Sequence, residues 1–123
     1  MNFDEIIKKI DPAFQNLGFK KVEGYRNFVR YESENVGVSF SFNDKENSFD
    51  IFIGKLGENL FELTDKVFKE VFNENFGRAE ESIVENLINF FQGKGNAILI
   101  GDPDKLEELK KYVYKGAKKY TNG

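Results

Sequence analysis

The chain has no cysteine and no histidine among its 123 residues. Without thiols there is no disulfide, no thiolate nucleophile, no Cys-ligated zinc and no iron–sulfur cluster. Without imidazole, the usual general base near neutral pH, the Ser-His-Asp arrangement and His-held metals are excluded as well. Catalysis would have to rest on carboxylates, Lys, Arg, Tyr or hydroxyls, so the expectation is a protein that is not an enzyme, with no catalytic residue and no cofactor. No apolar run approaches the ~18 residues of a membrane span. The opening MNFDEIIKK lacks a basic n-region, an apolar core and a small-residue cleavage site. A cytoplasmic protein that does not enter membranes is expected.

The remaining composition is 40% hydrophobic and 32% charged, which is ordinary for a globular protein. The length suits one domain able to bury a core without staples, so residues 1–123 are read as a single α+β domain. Its organising stretch is VGVSFSFNDKENSFDIFI, residues 36–53. Val36, Val38, Phe40 and Phe42 alternate with Gly37, Ser39, Ser41 and Asn43, and after Asp44-Lys45-Glu46-Asn47 the alternation resumes as Phe49, Ile51 and Ile53. Pairing Phe42 with Phe49 places Phe40 opposite Ile51 and Val38 opposite Ile53, so one register gathers every large apolar side chain on one face. A β-hairpin with a single buried face follows, and other elements must cover that face.

Upstream, Phe3, Ile6, Ile7, Ile10, Phe14 and Leu17 fall at helical spacing. Asn2 or Asp4 can cap that helix, and Gly18 stops it. The stripe keeps phase through Pro12, which predicts one kinked helix over a break. Phe19 to Glu23 reads as a short strand and Tyr25 to Glu32 as a longer one, giving an antiparallel meander of three to four strands over residues 19–54. Downstream, Thr64 caps a helix carrying Val67, Phe68, Val71 and Phe72. Arg78 to Gln92 reads as a second helix. Asp102-Pro103-Asp104 starts a last one that buries Leu106, Leu109, Val113 and also Tyr112, Gly116 and Tyr120. Ala97 to Ile100 fits either a buried strand or a helical turn. The architecture expected is an N-terminal helix, the meander, then about three C-terminal helices, with the first helix and some of the later ones on the Val38/Phe40/Phe42 face.

Two surfaces are candidates for binding. The first is acidic: residues 58–85 hold Glu58, Glu62, Asp65, Glu70, Glu74, Glu80, Glu81 and Glu85 against Lys66, Lys69 and Arg78. Glu58, Glu62, Asp65, Glu80 and Glu81 are the partner-binding candidates there, because such a surface complements a basic partner and speeds its capture. The second is the sheet face opposite the core, where Gly37, Ser39 and Ser41 lie between Arg26, Phe28, Arg30 and Phe52. Small residues flanked by Arg and Phe make a shallow groove of the composition found at interface centres. A C-terminal helix packed over Phe28 and Phe52 would equally account for them. Phe52, Phe61, Phe76 and Phe90, four of fourteen phenylalanines, fall off their elements' apolar stripes, which fits either a two-sided core or a partner surface.

Other features carry less. The lysines of residues 105–119 sit on one helix with acidic neighbours, a pattern a solvated helix face explains, so no nucleic acid is expected. Gly93-Lys94-Gly95 has neither the spacing nor the setting of a phosphate loop. Asp44-Lys45-Glu46-Asn47 lacks the spaced oxygen ligands and glycine of a calcium loop, and no metal site is expected.

The order IDPAFQNLGFK, VRYES, VSFSFNDKENSFDIFIG, LFELTDKVF resembles small, mostly uncharacterised bacterial proteins with a helix ending in LGF, a β meander and a helical C-terminal half. Some proteins of that kind are encoded beside polymorphic or contact-dependent toxins and act as their immunity proteins. The resemblance spans roughly residues 3–75, has no catalytic signature and transfers no functional residue. It implies a protein-binding domain whose partner is a toxin domain. A small-ligand-binding or regulatory domain using the Arg26/Phe28/Arg30/Phe52 face is the alternative.

Overall fold

The structure, a computed structural model, describes the backbone of residues 1–121 and the side chains of residues 1–112. The expected burial of Val113, Gly116 and Tyr120 lies outside the described residues. Helix α1 (Phe3–Asn16) precedes five strands, β1 (Lys20–Tyr25), β2 (Phe28–Glu32), β3 (Val36–Asn43), β4 (Ser48–Lys55) and β5 (Phe61–Glu62). Four helices follow: α2 (Asp65–Phe72), α3 (Ile83–Gln92), α4 (Asn96–Leu99) and α5 (Pro103–Thr121). The strands form one antiparallel sheet in the order β1-β2-β3-β4-β5.

Asn2 caps α1, its side chain accepting from the Glu5 N–H. The helix runs through Pro12, which with Lys8 lies on the exposed side, so the Lys8 carbonyl that the proline leaves without a donor is open to water. At the other end Phe19 N–H donates to the Phe14 carbonyl at 2.9 Å and Gly18 N–H to the Gln15 carbonyl at 3.0 Å, with Gly18 at φ +88°. This is the paired-bond stop that a left-handed residue permits. The Phe14 and Phe19 rings close it at 5.5 Å.

The central hairpin has the register that the alternation demands: Phe42 faces Phe49, Phe40 faces Ile51 and Val38 faces Ile53. All six are buried on one face with Val29 and Tyr31. Helix α1 lies against that face through Phe14, 5.5 Å from Phe40, and Phe3, 5.8 Å from Phe49. Phe91 of α3 meets Phe14 at 5.5 Å, and Leu63, Val67, Phe68, Leu87, Ile98 and Leu109 complete one core.

Several boundaries differ from expectation. The sheet has five strands because the apolar patch at Leu60–Leu63 contributes one, its Leu63 N–H donating to the Ile51 carbonyl at 2.8 Å. The single strand expected over Tyr25–Glu32 is two strands joined at Arg26-Asn27. Asn27 takes φ +59° there and Tyr25 pairs with Phe28, since Asn tolerates the left-handed turn that tight hairpins need. Helix α3 starts at Ile83, not Arg78, because the 78–82 segment is held by its own contacts, described below. The ambiguous run near Ala97 is one helical turn, ended by Gly101 at φ +79°. Of the four phenylalanines off their stripes, Phe90 is 5% exposed in the core, and Phe61 and Phe76 pack against its rim. Phe52 alone faces the other side of the sheet.

Candidate binding face

The alternation that buries Val38, Phe40 and Phe42 puts Gly37, Ser39 and Ser41 on the opposite face of β3. Register then fixes their neighbours. Phe28 stands beside Ser41 and Ser41 beside Asp50; Arg30 beside Ser39, Ser39 beside Phe52 and Phe52 beside Glu62; Glu32 beside Gly37 and Gly37 beside Gly54. Directly opposed residues share a face, so β1 adds Tyr25, Glu23 and Lys20, paired with Phe28, Arg30 and Glu32. The helices, among the described residues, put their buried side chains into the core on the other side. Phe28 and Phe52 are therefore half-buried by sheet neighbours and remain in part exposed.

The face has relief. Its floor is Gly37, Ser39, Ser41 and Gly54, and its walls are Arg30 and Phe52, close enough that Ser39 is only 5% exposed. At one end the Tyr25 ring stacks on Phe28, centroids 4.8 Å apart and planes within 18°, with Tyr25 65% exposed. At the other end Leu60 lies over both glycines, 3.6 Å from where a Gly37 Cβ would stand and 3.2 Å from that of Gly54.

The charges divide the face in two. On the β1–β2 side Lys20 and Arg30 balance Glu23 and Glu32, and Arg30 Nε donates to Glu32 Oε2 at 2.9 Å. On the β4–β5 side Asp50 and Glu62 flank Phe52, and neither forms an ion pair among the described residues. The Glu62 carboxyl titrates above the usual Glu range, first because of partial burial and then because of the Asp50 carboxylate, with the Arg78 guanidinium pulling the other way.

Of the sheet-face candidates, Phe28, Arg30 and Phe52 come together here, and Arg26 does not. It projects from the β1–β2 turn with its side chain 88% exposed, 3.7 Å from Asp44. The acidic candidates are dispersed. Glu58 is exposed in the β4–β5 connection, and Glu81 is exposed in the turn before α3. Asp65 Oδ1 accepts from Arg78 Nε at 2.9 Å. Glu80 accepts from the Asn2 backbone N–H and lies 3.8 Å from the N-terminal ammonium. Glu62 lies on the sheet face itself, so the two surfaces inferred separately meet at the Phe52–Glu62 pair.

Arg78 is the residue that reasoning from pattern misplaced. Besides Asp65, its guanidinium donates to the Leu63 carbonyl at 2.8 Å and to the Phe49 carbonyl, and it lies 5.6 Å from the rings of both Phe68 and Phe76. Its fork caps the edge of β4 where β5 has ended, a structural task that uses donors in fixed geometry. Tyr31 is a core residue whose hydroxyl donates to Asp11 Oδ1 on α1, a long-range contact with no sequence signature.

Among the described residues no three carboxylates converge as metal ligands, and no helix is long and apolar enough to cross a membrane. Comparison with known proteins returns no match to a family model, to a curated protein or to a solved structure.

Proposed function

We propose that this chain is a non-enzymatic protein-binding domain that docks its partner on the open sheet face, in the manner of an immunity protein covering the working surface of a toxin. The observation that carries this is the face itself, which no helix covers among the described residues, with Phe52, Phe28, Tyr25 and Leu60 grouped around a floor of Ser and Gly. Aromatic side chains and Arg are enriched at interface centres, and a few of them supply most of the binding energy. Exposed Glu58 and Glu81 stand off this face and suit the steering of a basic partner, which raises the association rate more than the affinity. The shallow floor favours a protein over a small ligand, which needs concave enclosure, and the Arg30 guanidinium is already engaged by Glu32.

Affinity capture with tagged protein from lysate of the source organism, read by mass spectrometry, identifies the partner. Titration of the purified pair then tests the face. Replacing Phe28 and Phe52 together by Ala is expected to weaken binding at least tenfold, about 1.4 kcal/mol or more. A partner bound equally well by that variant, or no stoichiometric partner at all, overturns the proposal.

A further inference from the structure

The β4–β5 half of the face restricts what can cover it. Phe52 is the ring nearest its centre, with Glu62 directly opposite on β5 and Asp50 two residues along β4 on the same side. An apolar surface laid over Phe52 would also strip water from these two carboxylates. Neither has a cationic partner among the described residues, and Asp50 keeps only a 3.5 Å hydrogen bond from Ser48 Oγ. An uncompensated buried charge costs several kcal/mol. The other half raises no such demand, because Arg30 and Glu32 are already paired at 2.9 Å. The Arg78 guanidinium relieves Glu62 only in part, pulling its titration down without forming an ion pair with it, while three of its N–H groups serve Asp65 and the Phe49 and Leu63 carbonyls. Glu62 already feels partial burial and the Asp50 charge while the face is open. A cation brought by the occupant removes both penalties.

We infer that the β4–β5 half of this face is a seat for a cationic side chain of the protein partner, a guanidinium laid on the Phe52 ring and paired with Asp50 and Glu62. The inference rests on the docking reading and narrows it to partners with a basic residue at the interface centre. Guanidinium suits the place better than ammonium. It is planar and weakly hydrated, stacks on aromatic rings, and offers a fork of donors that can serve two carboxylates at once. The face already accommodates one such group, the Arg30 guanidinium, whose end lies 2.9 Å from where a Gly37 Cβ would stand. Selectivity follows from the cost of the wrong occupant, because a neutral or acidic surface would desolvate the carboxylates without compensation.

The test uses the full ¹⁵N-labelled chain and three probes: acetyl-Arg-Arg-Arg-amide, the same peptide with citrulline, and the same peptide with Lys. Amide shifts from the arginine peptide are expected to saturate and to concentrate at Ser39, Ser41, Asp50, Phe52 and Glu62. The citrulline peptide should cause none, and the lysine peptide should bind several-fold more weakly. The variant Asp50→Asn/Glu62→Gln should cut the arginine affinity at least fivefold, and Phe52→Leu, which keeps an apolar side chain on the strand, about threefold. Shifts spread equally over Glu58, Glu70, Glu74, Glu81 and Glu85, or an affinity indifferent to the double variant, overturn the seat. Failure of the docking reading looks different. A captured partner weakened by Phe28→Ala/Phe52→Ala but not by Asp50→Asn/Glu62→Gln leaves docking intact and removes the seat. A partner unaffected by either variant removes docking, whatever the peptides do.

Discussion

The two faces of the β3–β4 hairpin are built from alternate residues of the same sixteen-residue ladder, and they have opposite characters. One carries Val38, Phe40, Phe42, Phe49, Ile51 and Ile53, none more than 8% exposed, under α1 and α3. The other carries Gly37, Ser39, Ser41, Asp50, Phe52 and Gly54, with no covering helix among the described residues. A period-two strand divides its residues between two environments, and here the division separates the core from the face proposed for docking. Antiparallel sheets commonly leave one face wet. What distinguishes this one is that the wet face is neither uniformly polar nor flat. The comparison can be broken by substitutions that should matter on one face and not on the other.

The largest effect should fall on the covered face. Phe40 is fully buried, with rings of Phe14, Tyr31 and Phe49 around it at 5.5, 6.3 and 5.8 Å. Phe40→Ala should cost about 3–5 kcal/mol, measured as a shift of the denaturant midpoint at constant slope. Its neighbour Ser39, also buried but on the other face, should tolerate Ala within ~1 kcal/mol. Comparable losses at the two positions would mean that the second face is a second core.

Arg78 comes next, because it holds the sheet edge where both faces end. Arg78→Ala strands the Phe49 and Leu63 carbonyls and should cost about 3 kcal/mol, since each unsatisfied part-buried acceptor costs roughly 1–3. Lys in its place recovers less than half, because an ammonium cannot reproduce the fork. Full recovery with Lys would reduce Arg78 to a simple charge.

Much of this was legible in the chain. The hairpin register follows from alternation alone, the α1 stripe from its spacing, and the Thr64 cap and the α5 start at Asp102-Pro103 from residue type, while the α1 cap is narrowed to Asn2 or Asp4. The illegible parts share a cause, which is that tertiary contacts outweighed local pattern. Strand β5 is two residues long and exists because the β4 edge offers it partners. Arg78 to Ser82 has helical composition, yet the Arg78 fork holds its start on the sheet and delays α3 to Ile83. Arg26 kept strand parity with Phe28 on paper, but Asn27 at φ +59° turns the chain between them. The acidic residues of 58–85 are contiguous in sequence and dispersed in space, so that among the five candidates only Glu62 joins the sheet face.

Tyr31 sharpens the comparison from the covered side, as a polar atom inside the apolar face. Burial, and then its hydrogen bond to the Asp11 carboxylate, push its phenol well above the ordinary value of about 10. The folded chain thus holds the Tyr31 proton where the unfolded chain would release it. The contribution is fully present below pH ~10 and is lost as the pH rises above that value. Tyr31→Phe should lower stability at pH 7 by about 1–2 kcal/mol, and it should remove part of the alkaline loss that sets in above pH ~10. Parallel alkaline curves for the two proteins would show that Tyr31 does not set that limb. Tyr112, whose hydroxyl donates to Glu70 Oε2 at 2.7 Å and whose phenol is also raised, makes Tyr112→Phe the necessary control.

The smallest effects belong to the floor of the open face and separate its two glycines. A methyl at Gly54 would stand 3.1 Å from the Asn59 carbonyl oxygen and 3.2 Å from the Leu60 Cα, both backbone atoms of the connection to β5. A methyl at Gly37 would stand 2.9 Å from the Arg30 guanidinium, the far end of a flexible side chain, and 3.6 Å from Leu60 Cδ2. Backbone cannot yield without moving β5, so Gly54→Ala should cost about 1 kcal/mol and displace Glu62 from beside Phe52. Arg30 can swing aside, so Gly37→Ala should change stability by less than ~0.5 kcal/mol while loosening the Arg30–Glu32 pair. If binding to the partner survives Gly37→Ala and fails in Gly54→Ala, the working half of the face is the β4–β5 half. The reverse result would move recognition to the Arg30 side and leave Asp50 and Glu62 as solvated carboxylates.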